Sequence, residues 1–183
     1  SFTVQASTSN VVGGLGGGTA TATITVNPVG NTPSVTDAAT NEDTQSTSGL
    51  VISRNAADGA EITHFQVTGI TNGSLFQNDG ATTISNGDFI SFAQGQAGLK
   101  FTPAANSITS GSFSVQSSTS NVVGGLGGGT ATATIIVTPI ADTPSVTNAS
   151  TNEDTQSASG LVISRNAADG AEVTYFQIAG ITN

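Results

Sequence analysis

The chain has no cysteine, methionine or tryptophan, and only one histidine, one tyrosine and three basic residues among 183. Each scarcity closes a class of chemistry. Without cysteine there are no disulfides, no thiolate metal ligands and no thiol nucleophile. Arg54, Lys100 and Arg165 are too scattered to form a basic patch, and a formal charge of −9 repels phosphate backbones and anionic headgroups. Nucleic acid is not an expected partner. No apolar run approaches the ~18 residues that a membrane-crossing helix needs, so membrane insertion is not expected either. The opening residues carry none of the charged, apolar and cleavage regions of a secretory leader, which leads to the expectation of an internal piece. Charged residues make up 8% and hydrophobic ones 36%, a balance that suits a folded, soluble chain.

What the chain has in abundance is repetition. Residues 1–72 align without a gap on residues 112–183 at an offset of 111, and 58 of the 72 positions are identical. A period of 111 is too long for a solenoid turn and suits a unit that folds by itself. The proline-flanked stretches NPVGNTP (27–33) and TPIADTP (138–144) read as linkers, because proline fixes φ and withholds a ladder donor. Residues 31–141 are then one complete repeat. Residues 1–30 are the C-terminal part of a preceding repeat and 142–183 the N-terminal part of a following one. Neither part has a counterpart of residues 73–111, so their open strand edges are expected to be held by neighbouring repeats or by identical chains.

Within a repeat the hydrophobic period is two. TATATITV (19–26) places Ala20, Ala22, Ile24 and Val26 on one face and threonines on the other, the signature of a half-buried strand. Further short runs occur at 48–54, 60–67, 74–77, 88–93, 98–103 and 112–118, separated by the turn sequences AADG, NDG and SNGD. Seven strands and no convincing helix predict an all-β fold, an antiparallel Greek-key β-sandwich of Ig-like type. Phe65, Phe76, Phe89, Phe92, Phe101 and Phe113, with Leu50, Ile52, Leu75, Leu99 and Val115, are the expected core, each contributing roughly 1.5–3 kcal/mol on burial. The glycine run GGLGGG (13–18, again at 124–129) lacks the Lys-Ser/Thr of a phosphate loop and leads into a strand, not a helix. It reads as the flexible connection of a β-hairpin.

Catalytic groups are sparse. His64 lies mid-strand and its counterpart is Tyr175, so a function shared by both copies cannot depend on the imidazole. Serines and threonines without an adjacent base are weak nucleophiles, and the expectation is that the chain is not an enzyme.

The acids gather near the start of each repeat, in TNEDTQ (40–45 and 151–156) and AADG (56–59 and 167–170). Together with ADTPSVTNASTNEDTQSASGLVISRNAADGAEVTYFQI (141–178) and GLKFTPAAN (98–106), these stretches resemble the cadherin-like domains repeated in very large bacterial surface and adhesin proteins. The resemblance spans the 111-residue unit. It implies calcium shared between consecutive repeats, with Asp142 as linker acid, Glu153 as the early glutamate and Asp169 as the second aspartate of a D-x-D element. Glu42 and Asp58 are the counterparts of Glu153 and Asp169. Ala167 stands where the first aspartate of that element belongs, and Asn31 replaces the linker acid at the earlier junction. The implied role is a stalk or spacer outside a bacterial cell, at its surface, in adhesion or matrix. Two alternatives stay open: a self-assembling subunit of an extracellular filament or sheath completed by strands of identical chains, and a glycan- or protein-binding module.

Overall fold

The computed structural model describes residues 1–182. Near the N-terminus β1 (Phe2–Ser7) and β2 (Leu15–Ala22) form a hairpin. The span read from the sequence as the complete repeat, residues 31–141, contributes β3 (Ser34–Val35), β4 (Ala38–Asn41), β5 (Ile52–Ser53), β6 (His64–Thr71), β7 (Gly73–Phe76), β8 (Thr83–Ile84) and β9 (Phe89–Ser91). A short helix α1 (Phe92–Gln96) follows, then β10 (Lys100–Pro103), β11 (Gly111–Ser118) and β12 (Leu126–Thr138). Two-residue strands β13 (Ser145–Val146) and β14 (Ile163–Ser164) pair in the last part.

The fold is mostly β and built of several sheets. A five-stranded sheet runs β4-β12-β11-β6-β9, a three-stranded one β10-β7-β8, and β3 pairs with β5. Alternation decides which face of β12 turns inward: Ala133, Ile135 and Val137 are buried while the intervening Thr132, Thr134 and Ile136 are exposed. On β11, Phe113 and Val115 point into the same core, which continues through Phe65, Val67, Leu75, Ile90, Leu99 and Phe101. The Phe101 ring occupies space left by glycine on both sheets. A β-carbon on Gly73 of β7, or on Gly111 of β11, would overlap that ring.

Of the eleven expected core residues, eight are fully buried, and Phe76, Phe89 and Phe92 are only partly so. Phe92 opens α1 and its ring carries the Arg54 guanidinium 3.5 Å above its centre, a contact that needs an accessible ring face. Several local expectations require correction. The pairings are not all antiparallel: β4 runs parallel to β12, with Ile135 opposite Ala38 and Thr138 opposite Asn41. The stretch 88–93 does not stay extended, because Ser91 and Gln94 form a capping box (Ser91 N to Gln94 Oε1, 2.7 Å; Gln94 N to Ser91 Oγ, 3.3 Å) that starts α1. The S-x-x-Q spelling was the available signal. In 48–54 only Ile52 and Ser53 pair as strand, since Gly49 and Leu50 both have positive φ. In 60–67 the strand begins at His64, after the AADG turn has run on through Glu61.

The glycine run also differs from a flexible bend. The hairpin turn is a 3₁₀ turn at Val123–Gly125 closed by Gly125 N to Val122 O (3.0 Å), and Leu126–Gly129 already belongs to β12. The identical turn at Val12–Gly14 forms in the first copy. Elsewhere the copies diverge. β12 has 13 residues but β2 has 8, because residues 24–27 lack the parallel neighbour that β4 gives residues 135–138. Accordingly Phe113 is 0% exposed and its counterpart Phe2 58% exposed.

The β7–β8 turn supplies one pH-dependent test. Asp79 accepts from Thr82 Oγ1 (2.6 Å), Ala81 N and Thr82 N, and these bonds, the Thr82 hydroxyl foremost, hold its carboxyl below the usual aspartate range. A depressed folded value means the contribution is present above the unfolded pKa of about 3.9 and lost as pH falls through the lower folded value. Acidification is therefore expected to loosen this turn, read by NMR as coincident shifts of the Ala81 and Thr82 amides that Asp79→Asn abolishes. Shifts that persist in Asp79→Asn would assign them to another group.

Candidate functional site

The two junctions between repeats gather most of the polar residues singled out in the sequence. At the upstream junction the chain does not hang free. Gly30 and Pro33 are buried, and Gly30 lies against Ile62 and Ser117. Asn31 N donates to both carboxylate oxygens of Asp58 (3.1 Å each) and Asn31 Nδ2 donates to Oδ1 (2.7 Å). Asn55 Nδ2 holds Thr32 O (2.9 Å), and Gly129 N donates to Thr32 Oγ1 (2.9 Å).

The glycines at the start of β12 are the floor of this seat. A β-carbon on Gly127 would stand 2.6 Å from Gly30 N and 2.8 Å from Gly30 O, and one on Gly128 would collide with the backbone between Asn31 and Thr32. In the first copy Gly16, Gly17 and Gly18 have nothing within 4 Å of the corresponding positions. The glycine run thus serves close backbone approach between linker and strand, which the sequence reading missed because the linker partner is 97 residues away (Thr32 to Gly129).

At the downstream end, Glu42 N donates to Thr138 O (3.0 Å), and the buried Glu42 carboxylate accepts from Ile140 N (2.7 Å). Glu42 and Asp58 therefore serve opposite ends of one repeat: Asp58 binds residue 31 and Glu42 binds residue 140. Asp142 N donates to Asp169 Oδ1 (2.8 Å), repeating the Asn31–Asp58 backbone contact. The side chains differ. Where Asn31 has a side-chain amide that donates to Asp58, the residue at 142 is an aspartate that cannot donate in its place, and Asp169 Oδ2 is buried with no partner. Glu153 is exposed in the turn before Thr155. Among the described residues no three acidic, histidine or cysteine side chains converge as a ready metal cage. The Asp142–Asp169 pair and its orphaned oxygen are the donor set that comes nearest to the calcium chemistry implied by the resemblance.

The arginines take other partners than these carboxylates. Arg54 Nε donates to Ile62 O (2.8 Å) and stacks on Phe92, while Arg165 Nη1 donates to Gly170 O (2.7 Å). His64 is half-buried with Nδ1 2.8 Å from Thr63 Oγ1. No helix among the described residues is long and apolar enough to cross a membrane.

No protein family, curated protein or solved structure matches the chain. Its two copies are therefore the comparison that informs the junctions. Gly30 is replaced by Ala141, and Ile62, whose Cδ1 lies 2.8 Å from where a β-carbon on Gly30 would sit, is replaced by Val173, which has no such carbon. One methyl is added to the linker and one removed from its seat, so the two replacements offset each other in volume.

Proposed function

We propose that the chain is part of a non-enzymatic, load-bearing spacer, a series of β repeats that sets a distance outside a bacterial cell. The observation that carries this reading is the parallel β4–β12 pair. β4 lies just after the point where the chain enters the repeat and β12 ends where it leaves, so pulling the two ends apart shears the ladder and loads its hydrogen bonds together. An antiparallel hairpin pulled open at one end loses its bonds one at a time. Both linkers attach along β12: residues 30–32 at Gly127–Gly129, and residue 140 through Glu42 beyond Thr138. At about 3.3 Å per residue the 13 residues of β12 set roughly 40 Å of length per repeat. The seven acids of residues 31–141 against Arg54 and Lys100 give each repeat −5, which keeps neighbours apart within a Debye length of about 8 Å. The resemblance to cadherin-like adhesin repeats agrees with this role, and within it calcium binds at the Asp142–Asp169 junction.

Single-molecule stretching of the intact chain from its two ends tests the reading. The complete repeat is expected to resist until one abrupt event that releases about 111 residues, roughly 350–400 Å of contour. Glu42→Ala leaves Ile140 N without its acceptor and is expected to lower that force and cost about 1–2 kcal/mol at equilibrium. Calcium is expected to stiffen the junction at Asp142 and not the one at Asn31, an effect that chelator reverses and Asp142→Asn removes. Gradual, low-force extension of the complete repeat would rule out the load-bearing role, and no response to calcium would rule out the metal.

A further inference from the structure

We propose that a groove along β8 binds an uncharged, polyhydroxylated ring, a neutral sugar residue presented by a glycan. The groove has a volume of about 470 Å³, and all of its walls lie between Ile70 and Asn86, in the span that contains the buried core. None comes from residues 1–30 or 142–182. Its size falls among small-ligand sites, which run from about 300 to 1,000 Å³. The apolar part of the lining is Leu75 and Ile84, opposite each other on β7 and β8, together with Ile70 near the end of β6.

The groove exists because β9 is short. It pairs with β6 only from His64 to Gln66, and after two backbone bonds at Val67 no strand runs beside residues 68–71 on that side. There the Asn86 side chain stands in for a strand, its Oδ1 accepting from Ile70 N (2.8 Å). That bond fills a backbone donor at this edge, which disfavours the addition of a peptide strand, and it leaves Nδ2 as the group that Asn86 can still offer.

Ser74, Thr83 and Ser85 supply the other polar groups, and all three are exposed. Their hydroxyls, like Asn86 Nδ2, have no partner among the described residues. Comparable groups nearby are taken: Thr71 Oγ1 lies 2.8 Å from Ser112 Oγ, Ser114 Oγ 2.8 Å from Thr132 Oγ1, and Thr82 Oγ1 donates to Asp79 (2.6 Å). The lining thus offers three hydroxyls that donate and accept, and one amide that donates, beside aliphatic surface. A sugar ring is the complement, with hydroxyls at its rim and apolar C–H faces. Charge argues for a neutral one. No ionisable side chain lines the groove, and the acids on either side of β8 serve their own turns, Asp79 at Ala81 and Thr82 and Asp88 Oδ2 at Ser85 N (2.7 Å). An anionic ligand would meet these carboxylates with no cation to offset them. With no aromatic ring to stack on, binding is expected to be weak, in the millimolar range. The proposal goes beyond the load-bearing reading and does not depend on it.

Titration of the intact chain with methyl glucoside, methyl galactoside and maltose, followed by NMR shifts of the backbone amides, is the test. At least one of these sugars is expected to give saturable shifts at Ile70, Ile84 and Asn86 while the β1–β2 hairpin stays unmoved. Glucuronate is expected to give none. Asn86→Asp keeps an oxygen for Ile70 N but puts a carboxylate where the free amide stood, and the double variant Thr83→Ala with Ser85→Ala removes two hydroxyls that hold nothing in the chain. Each is expected to weaken binding about tenfold or more, the loss of roughly one good hydrogen bond, with the thermal transition of the complete repeat unchanged. Absence of saturable shifts with all three neutral sugars would overturn the proposal. So would glucuronate binding as well as they do, or wild-type affinity in either variant.

Discussion

Phe101→Ala is expected to destabilise the complete repeat by about 3–5 kcal/mol, the largest effect of any single truncation here. The ring is fully buried and bridges the layers: its strand β10 pairs with β7, while its ring lies over Gly111 of β11 in the other sheet. Removing it takes away contacts on both sides, and Gly73 and Gly111 have no side chains with which to fill the space. For a domain whose stability is of the order of 5–15 kcal/mol, the loss is a large fraction of the whole, and Tm is expected to fall by on the order of 15 °C. Thermal melting followed by circular dichroism checks this. A fall of only a few degrees would mean that the ring does not join the layers as the packing indicates.

Gly127→Ala and Gly16→Ala form the second large contrast, one substitution made twice in the same local sequence. At Gly127 the added methyl meets Gly30 N and O and Val29 Cγ1, all within 3 Å and mostly backbone, so the linker must lift from its seat. Lifting it breaks the contacts of Asn31 with Asp58 and of Thr32 with Gly129, and overpacking of this kind costs about 1–3 kcal/mol. At Gly16 there is nothing within 4 Å, and the change is expected to stay within about 0.5 kcal/mol. Urea unfolding of the two variants gives the difference directly, and hydrogen exchange at the Asn31 amide shows whether the linker has left. Equal effects at the two sites would remove the close-approach role of the glycines.

Much of the fold was legible because the signals are local. The Ala/Thr alternation of β12 and the apolar positions of β11 specify which side chains point inward whatever they meet there. The parallel β4–β12 pair was not legible, since a four-residue strand of Ala, Ala, Thr and Asn has no period to read and its direction depends on a partner nearly a hundred residues away. The junction acids were legible as residues but not as an arrangement. Glu42 and Asp58 are 16 positions apart in the sequence, yet they bind linkers at opposite ends of the repeat.

By itself the sequence determined the period of 111, the two-residue hydrophobic alternation, the hairpin turn that forms identically in both copies and the excess of negative charge. These depend on nearest neighbours in the chain or on simple sums over it. Only the tertiary structure decided that Phe113 is a core residue while Phe2 is a surface one, that Gly127 carries the linker while Gly16 carries nothing, and that β12 extends to Thr138 while β2 stops at Ala22. The residues in each pair are the same and their local sequences nearly so; burial belongs to whatever packs against a strand, and partners distant in the chain are supplied by the fold alone.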